Sequence, residues 1–170
     1  GRTGPRRGVG RRAPRACGRR TISVPGDWTN CFARDGSRPW HVCGDEKVKG
    51  DLRVHRAKGG EEIAALDEKT DTLQEGQMVI SDDSGVESIA GIMGGEATGV
   101  TEETVNVFVE SAYWDPVQIA YTGRALKINS DARSRFERGV DPAFTPSCLE
   151  HAPRHVSPQH TLHCPTPCPW

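Results

Sequence analysis

Three places in this sequence hold residues whose types could do chemistry: a glycine cluster, a strand-borne acid and an isolated histidine. The cluster runs Ala90-Gly91-Ile92-Met93-Gly94-Gly95-Glu96-Ala97-Thr98-Gly99. Glycines let backbone approach a ligand closely and leave amides free to donate hydrogen bonds. A phosphate loop would follow its glycines with Lys-Ser or Lys-Thr and a helix. Glu96 and a strand follow here, so nucleotide binding is disfavoured, and a tight turn between strands accounts for the glycines equally well. Glu110 shares a strand face with Phe108 and either points into partly buried space or faces water from an edge. In the first case it needs a polar partner, because an unpaired buried carboxylate is costly. His41, beside Pro39 and Trp40, reads as a loop histidine, a residue type that can hold an amino or carbonyl group or act as a base near neutral pH. No Ser-His-Asp set and no HExxH pattern accompanies it.

Positioning these residues requires ordered elements, and their signals lie between about residues 45 and 147. Leu52 to Ala57 alternates as a short strand before the turn Gly59-Gly60. Met78-Val79-Ile80 is a second strand, closed by Asp82-Asp83-Ser84-Gly85. Val86 to Met93 is a third apolar segment ending at Gly94-Gly95. Val105 to Ser111 alternates strictly, with Val105, Val107 and Val109 on one face and Asn106, Phe108 and Glu110 on the other. Asp115-Pro116 supplies a cap and a first-turn proline for a helix through about Leu126. Ser130-Asp131 opens another, stopped by Gly139. Strands precede helices, which predicts an α+β domain with a mixed or antiparallel sheet and flanking helices.

Composition sets the limits. The chain has 170 residues, 35% hydrophobic, with 19 Gly and 12 Pro, which predicts one ordered domain diluted by disordered ends. No apolar run approaches the roughly 20 residues of a membrane helix, and the first residues have no apolar signal core. The chain therefore reads as a soluble, cytoplasmic fragment with no membrane partner. A net charge of -1 conceals eight Arg and no acid in residues 1–20, against sixteen acids and six Lys or Arg in 45–110. Residues 1–14 are expected to be a disordered basic arm, and 154–170 a disordered tail. The six cysteines (Cys17, Cys31, Cys43, Cys148, Cys164, Cys168) all lie outside the best-patterned stretch and read as reduced thiols. Around His160, His163, Cys164 and Cys168 the tail has metal-capable residues, but its prolines and single half-site argue against a metal site.

The run Gly91 to Thr104 followed by Asn106-Val107-Phe108-Val109-Glu110 resembles the signature of the bacterial phenylalanyl-tRNA synthetase beta-subunit family. So do Tyr121-Thr122-Gly123-Arg124, Ser130-Asp131-Ala132 and Arg135 to Pro142, with Lys47 to Val54 and Ala65 to Thr70 in the same register. The close resemblance covers about 45–147. A degraded one covers 15–44, through Ile22-Ser23, Asp27, Thr29-Asn30 and Arg38-Pro39-Trp40-His41. There Ser37 replaces the usual glycine and Cys43-Gly44 the usual Phe-Asp, while Pro25-Gly26 and Trp28 interrupt a strand.

The resemblance implies that residues 15–153 form that subunit's central editing domain, which hydrolyses tyrosine wrongly attached to phenylalanine tRNA. A second pocket that prefers the tyrosine hydroxyl corrects what the synthetic pocket cannot reject. It implies that Glu110 accepts the hydroxyl, with the Gly91 amide as second contact and Gly94 shaping the pocket. Thr29, Asn30 and His41 would surround the amino group and ester, with His41 as the general base, and Ser88 and Ala90 would line the entrance. No cofactor belongs to this part. ATP and magnesium serve the parent ligase, whose alpha subunit joins the beta subunit in a heterotetramer. The alternative is a non-catalytic remnant that only docks tRNA or supports structure.

Overall fold

A computed structural model gives the fold and describes residues 38–66, 69–101 and 103–148. The basic arm, Thr29, Asn30 and the His/Cys tail lie outside the described residues. Among the described residues eight strands precede two helices: β1 (His41–Gly44), β2 (Arg53–Arg56), β3 (Glu62–Ala64), β4 (Thr70–Thr72), β5 (Met78–Ser81), β6 (Val86–Ile89), β7 (Met93–Gly94), β8 (Val107–Glu110), α1 (Pro116–Ala125) and α2 (Asp131–Phe136). Residues 144–148 are also helical. The domain is α+β, and every strand pairing among the described residues is antiparallel.

Three sheets among the described residues share this core. β2-β5-β6-β7 form a four-stranded sheet, and β1-β8 and β3-β4 form two-stranded ones. A bridge from Cys43 to Gly99 and another from Ala65 to Gly95 stitch the small sheets to the glycine segment. β5 lies between two neighbours, and its Val79 and Ile80 are buried. β2 is an edge strand whose Arg53 and Arg56 are exposed, which discourages pairing with another chain. Ile63, Leu73, Val79, Ile89, Ile92, Trp114, Ile119 and Phe136 make one continuous apolar cluster reaching from the sheets to both helices.

The helix signals act through the atoms they promised. Asp115 Oδ1 accepts the Gln118 N–H at 2.9 Å, and Pro116 starts α1. The Ser130 hydroxyl accepts the Arg133 N–H at 3.0 Å, and Gly139 takes a positive φ of 92° beyond α2. A Cβ on Gly123, inside α1, would meet the Arg133 guanidinium stem, which would then have to shift. Arg133 in turn donates to Gly123 O at 3.2 Å, so the Thr122-Gly123-Arg124 string marks where one helix seats the arginine of the next.

Other expectations need correction. Val86 to Met93 is a hairpin, β6 and β7 with a turn at 90–92, not one segment. His41 stands on strand β1, not in a loop. β8 starts only at Val107, and Phe108 is 44% exposed, so its face does not bury Glu110 along its whole length. β3 and β4 were not read from the sequence at all. Each is three residues long and has a single inward apolar position or none, too little for a period to emerge.

Arg38 was also unforeseen as a structural residue. It is 2% exposed, and its guanidinium donates to Ala112 O and Thr145 Oγ1, both at 2.8 Å, and to Asp141 O. Arginine suits this place because its fork of donors serves several acceptors at once. It clamps the approach to β1 against the segment after β8 and the stretch before the helical residues 144–148. Arg38→Met should therefore lower stability by about 2–5 kcal/mol, since the buried Thr145 hydroxyl and two partly buried carbonyls lose their donor. Arg38→Lys should recover only part of this, and urea-unfolding midpoints of the three proteins check both expectations.

Candidate functional site

β1 and β8 pair so that His41 stands directly opposite Glu110. Directly opposed residues in an antiparallel pair project from the same face, with Cβ atoms about 5 Å apart. Two side chains separated by 69 positions are thus brought to one spot by register alone. They form one wall of a cleft whose lining also includes Trp40, Ser88, Gly91, Gly94 and Phe136.

The hairpin β6-β7 supplies the floor. Ser88 pairs with Gly94, and Ile92 N–H donates to Ile89 O at 2.9 Å, closing a tight turn. Gly91 has a φ of 67° in that turn, a conformation that glycine adopts without strain. A Cβ on Gly91 would also meet Trp114 Cδ1 at 2.6 Å and Ile119 Cδ1 at 2.9 Å. Among the described residues nothing accepts a hydrogen bond from the Gly91 N–H. Gly94 has an ordinary φ, and its requirement is space. A Cβ there would strike the His41 ring at Cε1 and approach Leu66 Cδ1 at 3.1 Å, so the imidazole lies directly on the strand backbone.

The back wall is α2, through Ala132 and Phe136. Ser130 fastens it: the hydroxyl that caps α2 also donates to Ile92 O at 2.6 Å. One side chain thereby locks the helix start to the glycine turn. Trp40 donates its indole N–H to Cys148 Sγ at 3.2 Å, which ties the cleft's rim to the last described residue. The sequence pointed to Ser130 only as a helix cap. Its second bond could not be read without knowing that Ile92 lies nearby.

Electrostatics follow from burial. Glu110 is half-buried as a residue, but desolvation of its carboxyl pushes the pKa up to about 7, opposed only in part by the Trp114 indole. Burial also lowers the pKa of His41 below its ordinary 6.5. Near neutral pH the cleft therefore holds a neutral imidazole, with a free lone pair, opposite a carboxyl that exchanges between acid and carboxylate. The neighbouring Cys43 thiol is pushed up to about 11 by burial and by Glu110, Glu87 and Asp45, so it is no nucleophile at physiological pH.

Of the residues singled out beforehand, His41, Ser88, Gly91, Gly94 and Glu110 meet in this cleft. Ala90 does not line it; it is buried in the apolar core, with its N–H donating to Met78 O at 3.0 Å. Among the described residues no group of three or more His, Cys, Asp or Glu could hold a metal ion. No helix among them is long and apolar enough to cross a membrane.

A family model described as B3/4 domain matches residues 11–158. The chain is 68% identical over 142 residues to a phenylalanine–tRNA ligase beta subunit of Ruegeria pomeroyi, covering 84% of this chain and 18% of that protein. It is 61% identical over 142 residues to the beta subunit of Cereibacter sphaeroides, with the same coverage. For Paramagnetospirillum magneticum the identity is 54% over 141 residues, 83% of this chain and 18% of the relative. The chain thus spans about a fifth of the length of these relatives.

The two shifted groups make stability depend on pH in opposite senses. Glu110 has a folded pKa above its ordinary 4.5, so its contribution is full below about 4.5 and is lost as pH rises through about 7. His41 has a lowered pKa, so its contribution is present above 6.5 and is lost as pH falls through the folded value. Glu110→Gln should remove the first dependence, changing the stability difference from wild type by about 3 kcal/mol at most between pH 4.5 and 8. Chemical denaturation across that range measures it, and parallel curves for the two proteins would contradict the burial of this carboxyl.

Proposed function

Because the chain belongs to the B3/4 domain family, we propose that it is the editing part of a phenylalanine–tRNA ligase beta subunit and hydrolyses tyrosine misattached to phenylalanine tRNA. The names of the relatives support the parent activity. The observation that carries the editing reading is the His41–Glu110 register pair over a glycine floor.

Discrimination is the physical problem, since tyrosine and phenylalanine differ by one hydroxyl. Glu110 and the free Gly91 N–H offer that hydroxyl an acceptor and a donor. A phenylalanine ring in the same cleft would leave both without a partner. A site built around a hydroxyl rejects the analogue lacking it because buried polar groups are then unsatisfied. Hydrolysis needs a water, a base and a held ester. In the proposed step the water oxygen attacks the ester carbonyl carbon, and neutral His41 takes the water proton. The tetrahedral intermediate then expels the ribose oxygen, which regains a proton as the bond to tyrosine breaks. Ser88 lines the same cleft, and Thr29 and Asn30 complete the ester and amino-group surroundings in this reading.

Phenylalanine tRNA is the proposed partner, delivered in the cytoplasm by the parent heterotetramer with its alpha subunit. ATP and magnesium belong to the parent's ligation step, and the editing step uses neither.

Deacylation of Tyr-tRNA and Phe-tRNA by wild type and by Glu110→Ala tests the reading. The variant should lose about 10- to 150-fold of its preference for the tyrosyl ester, the worth of a hydrogen bond to a charged group. Gly94→Ala, which displaces the His41 ring, should slow both esters alike. Unchanged selectivity in a folded Glu110→Ala protein would remove Glu110 from the site. A wild-type chain that binds tRNA yet hydrolyses neither ester would leave the remnant reading.

A further inference from the structure

The outer face of α1 has no part in the cleft. Ile119, Thr122 and Gly123 turn inward, and Ile119 stands directly behind the Gly91 turn. Val117, Tyr121 and Arg124 recur at helical spacing on the opposite side. Val117 is 60% exposed and Tyr121 68%, so an aromatic ring stands mostly in water. The charge around it is one-sided. From Pro116 to Lys127 the chain has Arg124 and Lys127 and no acid, whereas residues 45–110 hold sixteen acids against six Lys or Arg. Asp115, the nearest acid in sequence, is engaged with the Gln118 N–H. Arg56 extends the patch from edge strand β2, donating to Gln118 Oε1 at 3.5 Å and to Gly76 O at 3.1 Å. Arg56, Arg124 and Lys127 are exposed and make no ion pair among the described residues. Arg53, Arg133 and Arg135, by contrast, are paired with Asp83, Glu137 and Asp131.

We propose that this face is an RNA-docking surface, on which Arg56, Arg124 and Lys127 hold phosphates and Tyr121 stacks on a base. Cations without carboxylate partners draw a phosphate backbone, because binding releases the counterions condensed on it. An exposed ring gives a base a stacking surface, which an acidic protein partner would not use. The position also suits the cleft. A helix with its side chains is about 10–12 Å across, and Ile119 on the inner side meets the place of a Gly91 Cβ. RNA lying along the outer side is therefore one helix-width from the turn that floors the cleft, within reach of a short single-stranded end. Taking that RNA to be phenylalanine tRNA rests on the editing reading; the docking of RNA on α1 does not.

Binding of fluorescently labelled phenylalanine tRNA to the whole chain, followed by anisotropy over a range of salt concentrations, tests the surface. Affinity should fall as salt rises, and Arg56→Ala, Arg124→Ala and Lys127→Ala should each flatten the slope of log K against log salt by about one. Tyr121→Ala should weaken binding about tenfold with the slope unchanged, and Tyr121→Phe should restore it. Arg53→Ala should bind like wild type, because that guanidinium is already paired with Asp83. The substituted side chains on α1 and Arg56 are exposed, so these variants should unfold at the wild-type urea midpoint. Wild-type affinity and slope in both Tyr121→Ala and Arg124→Ala would overturn the proposal. So would self-association of the chain without RNA that Tyr121→Ala abolishes, which would assign the face to a second copy. With Tyr-tRNA as substrate, the same variants should raise KM and leave kcat unchanged. Weakened RNA binding in the variants, beside a wild type that hydrolyses neither ester, would refute editing and leave the surface standing. An unmoved KM in variants of an active wild type would refute the surface and leave editing standing.

Discussion

The pairing of β1 with β8 is the constraint on which the site depends. It sets His41 against Glu110 with no loop to adjust the distance. Side chains alternate along a strand, so a slip of one residue would turn one of the two to the opposite face. The pairing is held at several points beyond its own ladder. Gly44 N–H donates to Thr98 O at 2.9 Å, and Lys47 reaches Gly99 O at 2.6 Å. Arg38 clamps the chain just before β1 to three acceptors further along the sequence. The strands themselves are four residues each, so these outside ties carry much of the registration.

Around that pair the structure trades side chains for proximity. Gly94 gives up a Cβ so that the imidazole can rest on backbone, and Gly91 gives one up so that Trp114 and Ile119 can support the turn from behind. The result is a narrow space bounded by backbone on one side and aromatic and apolar groups on the others. Low polarity is what shifts both titratable groups toward their neutral forms. A neutral base facing an acid poised near neutrality follows from the packing, without any ion pair between them.

The helices serve the site indirectly. α1 and α2 are joined by Arg133, which donates to Gly123 O inside α1 and to Ile128 O in the connection, and by the close approach at Gly123. Ser130 then transmits their position to the hairpin through Ile92 O. Helix placement and turn geometry are therefore linked by partly buried hydrogen bonds, and that turn lines the same cleft as His41 and Glu110. Such networks specify one arrangement when every member is satisfied.

The local grammar of this domain was legible in the sequence because it is written in short-range chemistry. Asp115-Pro116 and Ser130 announced helix starts through the bonds their own side chains make, and Gly139 a helix end through its positive φ. The long signature strings named Gly91, Gly94 and Glu110 as one site by resemblance, and the degraded match before them added His41, while the residues read singly left each with an ordinary explanation. What only the tertiary structure decided is where those residues stand relative to one another. His41 looked like a loop residue because β1 is four residues long and its partner β8 lies more than sixty positions away. Phe108 and Glu110 alternate correctly on one face, yet only the Glu110 end is covered, because coverage comes from α2 and the β6-β7 hairpin rather than from β8 itself. Arg38 carries no sequence signal of its role, since its partners are two carbonyls and a hydroxyl far along the chain. Caps and turns are local contacts and can be read residue by residue, whereas register and burial are relations between distant segments that only the packed chain defines.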